Sequence, residues 1–254
     1  MLIASTRYTA ADLEVWARNE RVDSLNARRL LRSGKIERSL DVLEAFARDG
    51  RCYAGISWGK DSTVVADLCA RLLARGVSIP LVWVRSWWRN PDCDRVRDSF
   101  LAMRPGVTYS EVEVAWDEAR EARAKTSRYI ADGIAESKRR HGDRSITGVR
   151  ADESKVRKIR MRTWGEISPN TCAPIGWWSV ADVFAYLHLR GLPVHPTYAL
   201  TMGGLYEREH LRVDFLAESR GEERGRREWE ERYYREDVRA IAAGRPVDEA
   251  RRIQ

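Results

Sequence analysis

Cys52-Tyr53-Ala54-Gly55-Ile56-Ser57-Trp58-Gly59-Lys60-Asp61-Ser62-Thr63 is the stretch that decides how this chain folds. Its opening residues form a short apolar run of the kind that makes a buried strand. From Lys60 to Arg75 the apolar residues keep helical spacing, with Val64, Val65, Leu68, Leu72 and Leu73 on one side and Gly76 as a stop. The small and polar residues between must turn strand into helix. A helix that starts there presents first-turn N–H groups without intrahelical acceptors, together with the positive end of its dipole. Ser57 and Ser62 add hydroxyl donors, Lys60 adds a full charge, and Gly59 lets an anion approach the backbone. The stretch reads as an anion cradle. It is not a Walker A loop, which has four residues between Gly and Gly-Lys and then Ser or Thr. Here three residues separate Gly55 from Gly59, and Asp61 follows Lys60.

Outward from this junction, residues 10–49 read as helices and 79–84 as a second buried strand. Helix is expected at 93–103, strand at 107–114, a long basic helix at 116–140 and a fourth strand at 145–149. A further helix should run from Ser179, its N-cap, to Leu189, with Gly191 as its stop. Alternating strands and helices imply a Rossmann-like α/β fold, a parallel sheet flanked by helices with ligands at the carboxyl ends of its strands. Three parts are expected: an N-terminal helical segment at 1–49 packed on the core, a nucleotide-binding domain at 50–205, and a charged helical extension at 206–254. The extension is dense in Arg and Glu and poor in apolar residues, so it reads as exposed helix and tail.

The chain has 254 residues, enough for one large α/β domain, with 43% apolar and 33% charged residues. No stretch approaches the roughly 20 apolar residues of a membrane span. The first residues lack a signal-peptide core, so a cytoplasmic protein is expected, with no membrane partner. Cys52, Cys69, Cys93 and Cys172 are far apart and contain no C-x-x-C pair, which argues against a disulfide framework, a zinc site or an iron–sulfur cluster. The formal net charge is +7, and it is concentrated: residues 119–163 hold fourteen Lys/Arg against six Asp/Glu. That stretch is either a solvated basic face or a surface for a polyanion.

The S-x-G-K-D-S run after a strand resembles the PP-loop of the adenine nucleotide α-hydrolase superfamily. Two later segments point to one branch. Gly148-Val149-Arg150-Ala151-Asp152-Glu153-Ser154 with Arg157 is similar to the G-x-R-x-x-E-S-x-x-R stretch of the phosphoadenosine phosphosulfate (PAPS) reductase group. Residues 174–178, Asp182-Val183-Phe184-Ala185-Tyr186-Leu187 and Leu192-Pro193-Val194-His195-Pro196-Thr197-Tyr198 resemble that group's proline, tryptophan-helix and L-P-x-H-P-x-Y run.

The resemblance implies about five parallel strands, with ATP at their carboxyl edge. Ser57, Trp58, Gly59, Lys60, Asp61 and Ser62 would hold the phosphates that leave as pyrophosphate. Asp61 would partner Mg²⁺, and Arg150 and Arg157 would neutralise phosphate charge or hold an anionic acceptor. Lys60, Asp61, Arg150 and Arg157 are thus the candidate catalytic residues. Cys93, Cys172, His195 and Tyr198 are candidates for acceptor contacts or sulfur relay, because a thiolate is stabilised in an electropositive site.

The pattern also departs from the group. Where the reductases carry a D-T-G-like run, this chain has Arg85-Ser86-Trp87-Trp88-Arg89-Asn90-Pro91. Trp87 and Trp88 can stack on a base or pack inside. No cysteine follows Cys172, so simple PAPS reduction is not expected. ATP-driven adenylylation remains, as in sulfate adenylylating subunits or the ATP pyrophosphatases of bacterial DNA phosphorothioation systems. The basic excess and the tryptophan-rich loop favour the second, with a cysteine desulfurase as sulfur donor and DNA or other modification subunits as partners. On the long helix, Arg120, Arg123, Lys125 and Arg128 are the cations expected to meet a polyanion. Two other classes compete: a nucleotide-binding scaffold without turnover, opposed by the intact loop, and a non-catalytic nucleic-acid binder, for which no known reading motif is present.

Overall fold

The computed structural model describes residues 1–86, 89–114, 127–213, 216 and 225–244. Two helices come first, α1 (Ala10–Arg32) and α2 (Lys35–Arg48). The Thr9 hydroxyl accepts from the Asp12 N–H and the Asp12 carboxylate accepts from the Thr9 N–H, a capping box that fixes the start of α1. Then follow β1 (Cys52–Gly55), α3 (Lys60–Leu72), β2 (Leu81–Ser86), α4 (Asp92–Met103), β3 (Tyr109–Val114), α5 (Ser127–His141) and β4 (Arg144–Ile146). After these come α6 (Lys155–Trp164), a short hairpin of β5 (Ile167–Ser168) and β6 (Thr171–Cys172), and α7 (Val180–Leu189). The last described helices are α8 (Arg226–Tyr233) and α9 (Arg235–Ala242).

The strands form one sheet in the order β3-β2-β1-β4-β6-β5. Neighbours are parallel except β5, which runs antiparallel to β6 at the edge. The fold is therefore Rossmann-like, with five parallel strands and one added edge strand. Cys52, Tyr53 and Ala54 of β1 are all buried, as expected of a central parallel strand covered on both faces. Val64, Val65, Leu68 and Leu72 of α3 are fully buried. α1 packs along α7 and α2 along α3 on one face, and α5 lies on β2 and β3. Among the described residues no helix is long and apolar enough to cross a membrane.

The expected helices at 10–49, 93–103 and 179–189 are present within a few residues, and Ser179 caps α7 through a second box with Asp182. Of the long basic helix, residues 127–141 are helical and the earlier part lies outside the described residues. Arg120, Arg123 and Lys125 fall there, as do Trp87 and Trp88, and the side chain of Arg128 is likewise not described. Two elements, α6 and the β5–β6 hairpin, go beyond what the sequence pattern leads one to expect.

The exposed tail expected after residue 206 is corrected for its described part. Trp229 and Tyr234 are 1% exposed, and Tyr233 is also buried. Trp229 Nε1 donates to the Leu200 carbonyl at 2.6 Å, and Tyr234 Oη to Asp92 Oδ2 at 3.0 Å. Upstream of them, Arg208 makes a buried pair with Asp23 and stacks over Phe184 at 3.9 Å. The apolar residues are few but sit on one face of α8, which the surrounding Arg and Glu conceal.

Candidate nucleotide site

Sheet order reverses at β1: β2 lies on one side of it and β4 on the other. Crevices at such switch points, beyond the carboxyl ends of the strands, are where open α/β sheets bind ligands. A cavity of about 630 Å³ opens there, between the β1–α3 turn and the loop after β4. Lys60, Asp61, Ser62, Gly148, Arg150, Arg157 and Tyr198 all line it.

The turn organises itself through its serines. Ser57 N donates to Ser62 Oγ at 3.2 Å, and Ser62 Oγ donates to the Gly59 carbonyl at 3.1 Å. Of the first-turn amides of α3, that of Lys60 donates to Tyr198 Oη at 3.0 Å. Gly59 leaves room for this contact, since a Cβ there would stand 3.2 Å from Tyr198 Oη. The loop after β4 approaches from the other side. A Cβ on Gly148 would lie 3.0 Å from the Asp61 carbonyl carbon and 3.1 Å from Ser62 N, so any side chain there would push the two loops apart by a few tenths of an ångström.

The charged side chains form an alternating chain. Lys60 Nζ is 3.1 Å from Asp61 Oδ2, and Arg150 Nε donates to Asp61 Oδ1 at 2.6 Å. Lys60 is 6% and Arg150 3% exposed, so both cations are largely withdrawn from water with Asp61 as their shared counter-ion. Beyond them, Glu153 accepts from the Arg150 N–H at 2.9 Å and pairs with Arg157. The four expected catalytic residues, Lys60, Asp61, Arg150 and Arg157, are thus brought together, with Glu153 as an unforeseen bridge. Asp152, Glu209, His210 and Arg212 also reach the cavity wall. The last three arrive on an irregular segment with no sequence signature.

Trp58 stands differently. The motif puts it among the phosphate-binding residues, but its φ of 62° places a non-glycine residue in the left-handed region. The indole is thereby turned inward and fully buried against Phe100 and Tyr109, with ring centroids 5.6 and 5.7 Å away. Its side chain belongs to the core.

A second cavity of about 310 Å³ shares Gly55, Ser57 and Val213 with the first and is bounded by Ile56, Val82, Val84, Asn90, Cys93 and Ile134. Cys93 Sγ lies 3.7 Å from His195 Nε2 and 3.7 Å from the Ser57 carbonyl. Burial and the nearby Asp94 and Asp92 raise the Cys93 thiol above its ordinary range. Cys172, fully buried on β6, is pushed up to about 12, chiefly by burial. Both directions are opposite to the stabilised thiolate expected of a sulfur relay, because desolvation disfavours the anion. His195 accepts from the Thr197 N–H through Nδ1 at 3.1 Å, and burial lowers its pKa to about 4. It is held neutral as a cap of the turn that carries Tyr198.

Among the described residues no three His, Cys, Asp or Glu converge as a protein-only metal site. Mg²⁺ does not need one, since it is commonly held by one or two carboxylates plus phosphate oxygens and waters. Asp61 fits that use, at the cavity wall beside the loop that would hold the phosphates.

The phosphoadenosine phosphosulfate reductase domain profile matches residues 51–205. The chain belongs to that family. No curated protein matches the chain significantly by sequence. The crystal structure of PAPS reductase from Candida auris in a phosphate complex is similar at TM-score 0.50 and 14% identity, over 70% of this chain and 87% of that one. The U34-tRNA thiolase NcsA from Methanococcus maripaludis, solved with its [4Fe-4S] cluster, gives TM-score 0.47 and 14% identity over 84% and 80%. FMN adenylyltransferase from Candida glabrata gives TM-score 0.47 and 13% identity over 72% and 68%. At 14% identity the likeness to the reductase is one of fold.

Proposed function

Taking membership of that family as premise, we propose that the chain is an ATP pyrophosphatase. It would split ATP into AMP and pyrophosphate while adenylylating an acceptor oxygen for sulfur transfer. The observation that carries this reading is the convergence of Lys60, Asp61 and Arg150 at the N-terminus of α3. Two buried cations, a helix dipole and serine hydroxyls face one cavity.

In this reading the β- and γ-phosphates take the place of the Asp61 carboxylate as partner of Lys60 and Arg150. Asp61, released, would hold Mg²⁺, which supplies charge neutralisation on the phosphates when bound. Tyr198 keeps the Lys60 amide in place from above. The acceptor oxygen attacks the α-phosphorus, the bond to the bridging oxygen breaks, and pyrophosphate departs against the cations. Catalysis of this kind rests on positioning and charge stabilisation. The apolar walls of the second cavity suit a purine. The acceptor we favour is a DNA phosphate oxygen, with the persulfide sulfur of a cysteine desulfurase then displacing AMP and a thiol reductant cleaving the resulting S–S bond, because of the basic excess in residues 119–163.

The test is incubation with α-labelled ATP and Mg²⁺, with and without DNA. Labelled AMP is the expected product, and labelled ADP as the main product would reject the reading.

A further inference from the structure

Helix α6 reads Lys155-Val156-Arg157-Lys158-Ile159-Arg160-Met161-Arg162-Thr163-Trp164, with five cations and no acidic residue. On other helices several arginines are matched by neighbours, Arg139 and Arg140 by Glu136 and Arg75 by Glu37, Asp41 and Glu44, while those of α1 make no ion pair among the described residues. On α6 only Arg157 is so matched, by Glu153. Lys155, Lys158, Arg160 and Arg162 have no carboxylate within ion-pair distance among the described residues. The acid that faces this region, Glu166, is held by Arg38 at 2.6 Å.

The same helix exposes apolar groups, and among them is an indole beside the unpaired cations. Trp164 is 67% exposed, Ile159 64% and Val156 75%. Only Met161 of this helix is buried. Arg157, Arg160, Met161 and Trp164 share one side by helical spacing, and they wall a groove of about 370 Å³ completed by Val149 and Pro169. Val149 and Arg157 also line the main cavity, so the groove adjoins it.

We propose that α6 and this groove are the docking surface for a single-stranded nucleic acid, which lies along the cations, stacks a base on Trp164 and leads into the nucleotide cavity. The inference deepens the proposed function, since the strand would be the acceptor. Uncompensated cations favour a polyanion over a protein partner, and an exposed indole beside them favours unpaired bases over a duplex. This surface falls within the same basic stretch, residues 119–163, whose earlier cations Arg120, Arg123 and Lys125 lie outside the described residues.

The experiment uses the full chain and fluorescently labelled single strands of about 20 nucleotides, DNA and RNA of one sequence, across a salt series, read by anisotropy. The Arg160→Ala variant should weaken binding and lower the log–log salt slope by about 0.7, as for one phosphate no longer neutralised. Trp164→Ala should weaken binding by about tenfold with the slope unchanged, as expected when stacking is removed. These residues are exposed, so Tm should hold. An Arg139→Ala/Arg140→Ala control on α5 should bind like wild type. Unchanged binding in both α6 variants, or an equal loss in the control, overturns the proposal. Binding by DNA alone or RNA alone names the strand within it. AMP formation without nucleic acid is measured in parallel and should not change. If wild type makes no AMP while binding behaves as stated, the ATP reading fails and the docking surface stands.

Discussion

Arg150 Nε donates to Asp61 Oδ1 at 2.6 Å across 89 positions of sequence, joining the loop after β4 to the first turn of α3. This bond closes the cradle on itself: its one central carboxylate is engaged by Arg150 and, through the other oxygen, by Lys60. A polyphosphate bound there would have to exchange with a partner already present.

Asp61→Ala should expose that arrangement. It leaves Lys60 without its carboxylate and Arg150 with only the more distant Asp152 at 3.7 Å, and breaking one side of such a buried pair costs on the order of 3–5 kcal/mol. Urea melts should show a loss near the lower figure, since Asp61 itself is 18% exposed. Added pyrophosphate should narrow the gap to wild type. A variant as stable as wild type without ligand would show the pair to be dispensable.

Lys60→Ala removes a charge from the cavity without cutting into the apolar core. AMP formation at saturating ATP should fall by about 10²–10³ with the melting temperature nearly unchanged. Near wild-type turnover would place the phosphates elsewhere.

Gly148→Ala tests the close approach of the two loops. The added methyl meets the Asp61 and Ser62 backbone at 3.0–3.1 Å, and such overpacking costs typically about 1–3 kcal/mol. The expected outcome is a KM for ATP raised about tenfold in a folded protein. An unchanged KM would mean the loops separate freely.

His195 provides a pH signature. Its folded pKa, about 4, is below the ordinary value of 6.5, so between these values the unfolded chain binds the extra proton. Stability from this residue is complete above pH 6.5 and is lost as pH falls towards 4, by up to roughly 3 kcal/mol. His195→Asn keeps a capping acceptor but cannot titrate. Its denaturation midpoint should fall less between pH 7 and 4.5 than that of wild type, and parallel curves would refute the assignment.

Trp229→Ala should cost about 3–5 kcal/mol, as for a large core side chain, and a loss under 1 kcal/mol would restore the solvated-tail reading.

These residues also mark what sequence can and cannot disclose. The β1–α3 junction is legible because its apolar run, glycines and polar turn are local signals, and Ser179 with Asp182 announces α7 the same way. The inward turn of the Trp58 side chain is not legible because it depends on a backbone dihedral, not on the residues around it. Trp229 and Tyr233 stay hidden because two or three aromatic residues on one face suffice for burial, while composition over the segment remains dominated by Arg and Glu. Helix α6 buries only Met161 and so offers no apolar periodicity to detect.

Tyr198 caps the cradle from a turn that is itself pinned late in the chain: Trp229 Nε1 holds the Leu200 carbonyl, while Tyr233 Oη donates to Asp12, whose Oδ1 accepts from Thr201 N. During synthesis, then, residues 57–62 leave the ribosome long before the groups that steady their lid. Domains tend to fold in the order in which they emerge, but this pocket cannot. A nascent chain stalled ahead of Trp229 should carry a formed sheet and a loose, ATP-indifferent loop, and nucleotide capture should switch on only once α8 emerges and docks.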